Sequence, residues 1–412
     1  VGEALQRARF DSLPVAVRAG GHSVAGMSTV DDGLVIDVRP MKQIKIDPSR
    51  RWARVGAGVT WGEFDKAAQE HGLAVTGGRA STTGVAGFTL GGGSGWLDRK
   101  FGLACDNLLA VDLVTADGST IRVDDRHHPD LFWGLHGGGG NFGVATAFEF
   151  RLHPVGPTVQ AGLLAWPATR ADGLSRAYRD WVDRAPDDLG SGFIMVNGGE
   201  EEFVPPHLQN RLLVIVAALW AGDPDDGADY LGTLRGLEPE IDLVAPRPYA
   251  EFQTMIDDPP GNRHYWSADY HDDLSDDALD VFVESGQSAP SPLTQQIIFA
   301  WGGAASRIPD AATPMTKRAS QWVTHPFAVW ENTVDDPVNV EWVRQFRRDM
   351  APYTNGGVYL NFVGDEGEER VRNAYGEAKL SRLMDLKAEY DPENVFRRNQ
   401  NITPTRRVSS PG

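Results

Sequence analysis

Hydrophobic and polar positions alternate in short runs through the first 155 residues of the chain. Pro14–Arg18, Leu34–Val38 and Gln43–Ile46 read as strands, and Arg51–Val55 pairs with the last of them across a turn at Asp47–Arg50. Thr60-Trp-Gly-Glu63 is a capping box, predicting a helix to about His71 that Gly72 stops. Leu109–Thr115 and Thr120–Val123 flank Asp117-Gly118, a hairpin signal, and Phe142–Leu152 reads as a long alternating strand. No βα rhythm repeats, so this part is α+β.

From Gly156 to Val358 the pattern changes. Strand candidates (Leu163–Trp166, Leu212–Trp220, Gln295–Trp301, Phe327–Trp330) alternate with helix candidates (Ala171–Arg184, Asp226–Gly236, Asp276–Gln287, Val340–Met350). This predicts a second domain built as an antiparallel sheet backed by helices. Eight of the twelve tryptophans fall in it, as core packing or as the wall of a substrate pocket. A third signature closes the chain: Tyr359-Leu-Asn-Phe362, two helix candidates, then Tyr390-Asp-Pro-Glu-Asn-Val-Phe396. Read as a strand, the first of these motifs puts Tyr359 and Asn361 on one face. The expected division is 1–155, 156–358 and 359–412, with disorder after Thr403.

Charge and cysteine content narrow the chemistry. With 57 acidic against 39 basic residues, the formal charge is −18, a surface that repels nucleic acid and anionic lipid. No apolar run reaches the roughly 20 residues of a membrane helix, so a soluble protein is expected, cytoplasmic or secreted. The chain starts at Val1, inside structured sequence, so neither compartment nor oligomeric state is read from it. The single cysteine, Cys105, excludes an intrachain disulfide and every multi-cysteine metal site. Histidines such as His264 and His271 lack zinc-site spacing, and no metal is expected.

Five glycine-bearing segments carry the strongest signal: Arg18–Ser23, Gly77-Gly78, Gly84–Gly87, Gly91–Gly95 and Gly137–Gly143. Glycine lets backbone N–H groups approach a phosphate, and several such loops in one domain suggest a long phosphate-bearing ligand. Gly138–Gly143 matches G-x-G-x-x-G, but a strand pattern follows where the dinucleotide fold needs a helix, so the Rossmann reading fails. No Walker-type P-loop occurs.

Arg18-Ala-Gly-Gly-His22-Ser-Val-Ala-Gly26, Phe101-Gly-Leu-Ala-Cys105-Asp-Asn107, Asn141-Phe-Gly-Val144 and Tyr390–Phe396 together resemble the berberine-bridge-enzyme-like oxidases. These belong to the vanillyl-alcohol-oxidase (p-cresol methylhydroxylase, PCMH) class of FAD proteins, and the likeness runs from about Pro14 to Ile402. It implies a two-domain α+β fold, a PCMH-type FAD-binding domain plus a substrate domain, with an opening section cut short before Val1. It further implies FAD tethered twice, from His22 to the flavin 8α-methyl and from Cys105 to flavin C6. Arg18, Gly20, Gly21, Ser23 and Gly26 would then hold the pyrophosphate. Gly78, Thr83, Gly84, Gly87, Gly92, Gly143 and Val144 would line the channel, with Asp106 beside the thiol. Tyr359, Asn361 and Asn399 would close it.

The implied activity is an oxidase: hydride passes from an alcohol carbon of an oligosaccharide or secondary metabolite to flavin N5, and O₂ becomes H₂O₂. In one respect the chain departs from the pattern. The family's base is often a tyrosine ending Tyr-x-Asn-Tyr, and here that position is Phe362. Tyr359, Tyr265 and Glu331 are the replacement candidates, with His264 and Tyr270 behind them. A neutral amine would need no strong base, so an amine oxidase of the 6-hydroxynicotine-oxidase kind is the alternative. A dehydrogenase and a catalytically dead flavin-binding protein also stand as readings. The expected partners are a small-molecule substrate and O₂.

Overall fold

The computed structural model describes residues 1–257 and 261–405. The tail expected to be disordered therefore lies largely outside the described residues, from 406 on. Two antiparallel sheets organise the chain. The first has five strands in the order Ile44–Asp47, Trp52–Gly56, Val144–Arg151, Leu108–Val114, Thr120–Asp124. The capping box forms as expected: the Thr60 N–H donates to Glu63 Oε2 at 2.8 Å, and the helix Trp61–Gln69 follows. Its apolar face (Trp61, Phe64, Ala68) packs on Phe150 of the sheet. Beside this sheet, Val15–Arg18 and Leu34–Asp37 run parallel, so the loop carrying Gly20-Gly21-His22 leaves the end of one strand and returns to the start of the other.

The second sheet has nine strands, centred on the order Thr158–Pro167, Leu212–Trp220, Leu189–Asn197, Gln295–Ala300, Trp322–Trp330, Arg263–Trp266. Alternation of side chains assigns its two faces. Ile298, Ala300 and Trp322 join a helix-side core with Leu174, Tyr178, Trp181, Phe282 and Phe346 from the helices Ala171–Val182, Asp276–Gln287 and Asp336–Met350. Ile297, Phe299, Val323, Phe327 and Val329 face the other way, towards Trp96, Leu103 and Tyr359. Of the eight tryptophans here, Trp266 alone lines the main cavity; the others serve packing.

Contacts between the two sheets' layers are polar as well as apolar. Gln253 donates to the buried Asp65 at 2.8 Å, and the Ser81 N–H donates to Asp257 at 2.6 Å. Burial raises the Asp65 carboxyl to about 7, with the Gln253 hydrogen bond opposing the shift.

One expectation about local structure fails, and one central strand is not predicted by the sequence. Leu360–Phe362 is a 3-10 turn rather than a strand, so the face argument for Tyr359 does not hold. Leu189–Asn197, a central strand, carries no strand signal in its Gly-Ser-Gly start.

Candidate active site

A cavity of about 930 Å³ opens between the glycine loops and the inner face of the nine-stranded sheet. Of the residues that the family resemblance implied, Gly20, Gly21, His22, Ser23, Gly78, Thr83, Gly84, Gly87, Gly143, Val144, Asn361 and Asn399 line it. The loops reach one another because they are glycine. A Cβ on Gly20 would lie 2.2 Å from the Gly84 nitrogen, and one on Gly84 would lie 2.3 Å from that of Gly20.

The residues fit FAD on three counts. Cβ atoms on Gly87 and Gly140 would meet nothing within 4 Å, so these positions form an open cradle in the cavity wall. Arg18, a predicted site residue, does not itself line the cavity; it keeps a buried Nε without a protein partner behind the wall at Gly21, where a Cβ would lie 3.5 Å from it, and so sets a guanidinium charge behind the glycine loop. His22 stands at the wall with Nε2 2.9 Å from Thr82 Oγ1 and Nδ1 3.5 Å from Thr83 Oγ1. Burial lowers its pKa, against the field of Asp257, which favours the neutral nucleophilic ring.

The C-terminal segment completes the wall. Lys387 and Asp391, both fully buried, pair at 2.6 Å, and Lys387 also donates to the Asn141 and Phe396 carbonyls at 2.8 Å each. Asp391 accepts the Val395 and Phe396 N–H groups. The acid of the Tyr-Asp-Pro-Glu motif thus ties the last turn to the Gly138–Gly143 loop and presents Asn399, whose Nδ2 donates to the Gly140 carbonyl at 3.1 Å.

Several expected site residues sit elsewhere. Cys105 is fully buried and does not line the cavity; it packs with Leu103 and Tyr270 behind the Gly91–Ser94 loop, its N–H donating to the Gly92 carbonyl. Burial, reinforced by Asp106, pushes its thiol well up. A second flavin link through Cys105 is therefore set aside. Asp106 is held in a buried bidentate pair with Arg318, away from the cavity. Gly92 and Gly26 are backbone positions with φ of +116° and +68°, also off the wall.

None of the three base candidates reaches the cavity. The Tyr359 hydroxyl, fully buried, accepts from the Gly93 N–H (3.0 Å), the Ser94 N–H (2.7 Å) and Asn361 Nδ2 (3.1 Å). Burial raises its pKa, so it is a clamp on the glycine loop and no proton acceptor. Tyr265 points to the opposite sheet face from its neighbours, under Arg344, because strand alternation sends His264 and Trp266 inward. Glu331 is exposed beyond the end of its strand, and Tyr270 is sealed in the core against Trp301.

The cavity instead contains residues that the sequence reading passed over. Among the described lining residues there is no aspartate or glutamate. Arg79 is buried over Phe299, 4.0 Å from the ring centroid, donating to Ser94 Oγ and the Gly95 carbonyl beside Asp98. His325 is 4% exposed, with Nδ1 2.8 Å from the Ser267 carbonyl and its ring stacked 4.1 Å from that of Phe362. His264, which the sequence had offered as a secondary base candidate, joins it on the wall.

Comparison with known proteins agrees with this geometry. The family described as FAD binding domain matches residues 1–124, and that described as berberine and berberine like matches 358–403. The uncharacterized FAD-linked oxidoreductase YvdP of Bacillus subtilis is 32% identical over 98% of this chain and 90% of its own length. The (R)-6-hydroxynicotine oxidase of Paenarthrobacter nicotinovorans is 30% identical over 98% of this chain and 89% of its own. The solved 6-hydroxy-D-nicotine oxidase of Arthrobacter nicotinovorans superposes with a TM-score of 0.87 at 28% identity, covering 98% of this chain and 89% of that one. The chain belongs to the berberine-bridge-like family of FAD-linked oxidoreductases, and FAD is its cofactor class. No helix among the described residues is long and apolar enough to cross a membrane.

Proposed function

We propose that this enzyme is an FAD-dependent oxidase whose flavin is attached through His22 and which takes hydride from the carbon of a small-molecule alcohol. Held by the residues of the cavity wall, FAD would supply the hydride acceptor of such an oxidation, with O₂ as the terminal oxidant and H₂O₂ as its product. The observation that carries the reading is the neutral His22 ring, held by Thr82 and Thr83 on a wall otherwise built from glycine loops. Arg18, Gly20, Gly21 and Ser23 hold the phosphates; Gly78, Thr83, Gly84, Gly87, Gly143 and Val144 shape the channel; Asn361 and Asn399 close it. Residues 1–155 with 359–412 serve the cofactor, and 156–358 supply the substrate wall.

An amine substrate is the second reading, favoured by the 6-hydroxynicotine oxidase relative. The wall supports uptake of a neutral amine rather than an ammonium ion, since no carboxylate lines it among the described residues.

The test is acid precipitation of the purified protein followed by peptide mapping. Flavin retained on the His22 peptide and absent from the Cys105 peptide supports the reading. A colourless pellet with free FAD in the supernatant removes the covalent link, and failure to generate peroxide across alcohol and amine panels removes the oxidase assignment.

A further inference from the structure

We propose that His325 is the group that accepts the substrate's hydroxyl proton, and that the substrate is an uncharged aryl alcohol. This rests on the oxidase reading above and names the substrate class of that same cavity. The wall contributed by the nine-stranded sheet is aromatic. Trp266 and Phe327 stack at 4.7 Å with an 18° interplanar angle, and Phe299 and Phe362, 6.1 Å apart, line the same cavity, each paired with the His325 ring. Apolar faces of this kind favour a planar apolar group. An ammonium ion has no carboxylate to meet among the described lining residues.

Within this slot the imidazole of His325 is oriented from behind. Its Nδ1 meets the Ser267 carbonyl, which can only accept, so in the neutral ring the proton sits on Nδ1 and the Nε2 lone pair is free. Nε2 has no protein partner among the described residues. Burial and the field of Arg79 hold the ring neutral, against the Ser267 hydrogen bond, with a pKa of about 4. The ring also stacks on Phe362, the residue standing where a proton-accepting tyrosine was expected. His264 is the competitor, but its Nδ1 is buried without a partner, so no contact fixes its tautomer. In the reaction, the substrate O–H bond breaks and its proton passes to Nε2. The C–H bond on the same carbon breaks with its electron pair, which leaves as hydride to the flavin, and C=O forms. Two electrons and two hydrogens leave the alcohol.

The test needs no natural substrate. The flavin-loaded enzyme is titrated with 2-phenylpropan-2-ol, a tertiary aryl alcohol without a transferable hydride, following tryptophan fluorescence and the flavin spectrum. Its methyl ether, tert-butanol and the corresponding ammonium (2-phenylpropan-2-aminium) are the comparison probes. The aryl alcohol is expected to bind about five- to tenfold more tightly than its ether, the worth of one hydrogen bond, and more tightly than the other two. In His325→Phe, which keeps the stack, the alcohol–ether difference collapses to unity. His325→Gln, which retains an acceptor, restores part of the preference. Anaerobic flavin bleaching by 1-phenylethanol falls at least about 100-fold in both variants. No binding of the aryl alcohol, equal or tighter binding of the ammonium or tert-butanol, or a collapse in His264→Phe instead of His325→Phe overturns the proposal. Flavin content is measured in every sample, so loss of the cofactor, which bears on the oxidase reading, is distinguished from loss of probe selectivity.

Discussion

Replacing Tyr359 with phenylalanine separates a clamp from a catalyst. The hydroxyl receives three N–H groups, from Gly93, Ser94 and Asn361, and is fully buried. Tyr359→Phe keeps the ring contacts with Trp301 and Phe362 and removes only the acceptor. A buried donor left unpaired costs about 1 kcal/mol at the low end, so three of them cost about 3 kcal/mol if nothing replaces the oxygen. Asn361 can turn, and a water molecule can enter, so the expected loss is about 2–3 kcal/mol. The effect on chemistry follows from geometry: the Gly91–Ser94 loop loosens and cofactor retention weakens, while the pH dependence of flavin reduction is unchanged. The assay is denaturant unfolding followed by tryptophan fluorescence, paired with anaerobic flavin reduction across pH. If Tyr359→Phe keeps full stability yet slows reduction by 100-fold or more with loss of an acid limb, Tyr359 is a base and the reasoning is refuted.

Other predictions address the cofactor cradle, a buried acid and the C-terminal tie. Gly140→Leu fills open space in the cradle and is expected to abolish FAD binding with the far-UV circular dichroism unchanged; retained yellow colour would count against the cradle. Asp65 has a folded pKa raised to about 7, so the folded state binds the extra proton and stability declines as pH rises from about 4 to about 7. Asp65→Asn removes that decline, on the order of 4 kcal/mol at most, and thermal melts of the variant should be flatter than wild type over this window. Lys387→Met leaves Asp391 without its cation and is expected to destabilise by about 3–5 kcal/mol, releasing the Asn399 wall; urea titration with FAD release measures it.

Much of the site was legible because its chemistry is carried by sequence-local motifs. His22 and its glycines lie in one loop between two strands, and the Thr60–Glu63 box declares its own helix start. Residues that the fold brings from far away were not legible. His325 sits in Thr-His-Pro-Phe, where Pro326 weakens the strand signal although the strand runs through it from Trp322 to Trp330. Leu189–Asn197 carries a glycine at its second position for a tertiary reason: a Cβ on Gly190 would lie 1.9 Å from the Trp96 carbonyl of the loop packed across it. Cys105 was assigned by the resemblance of its Phe101–Asn107 motif, but a motif of this kind carries no information on which way a side chain points. Tyr359 failed likewise, since a strand and a 3-10 turn share the same four letters and only the turn buries the hydroxyl against Ser94.

The buried Lys387–Asp391 tie also sets an order of events during synthesis. The glycine loops that cradle the cofactor are all synthesised by Gly143, yet Phe396, Asn399 and Gln400 form part of the same wall. Until those residues emerge and lock onto the Gly138–Gly143 loop, the compartment in its finished shape does not exist. Flavin insertion in that compartment is thus an event of the completed polypeptide, and a nascent chain stalled before Lys387 should fold its early sheet yet stay colourless.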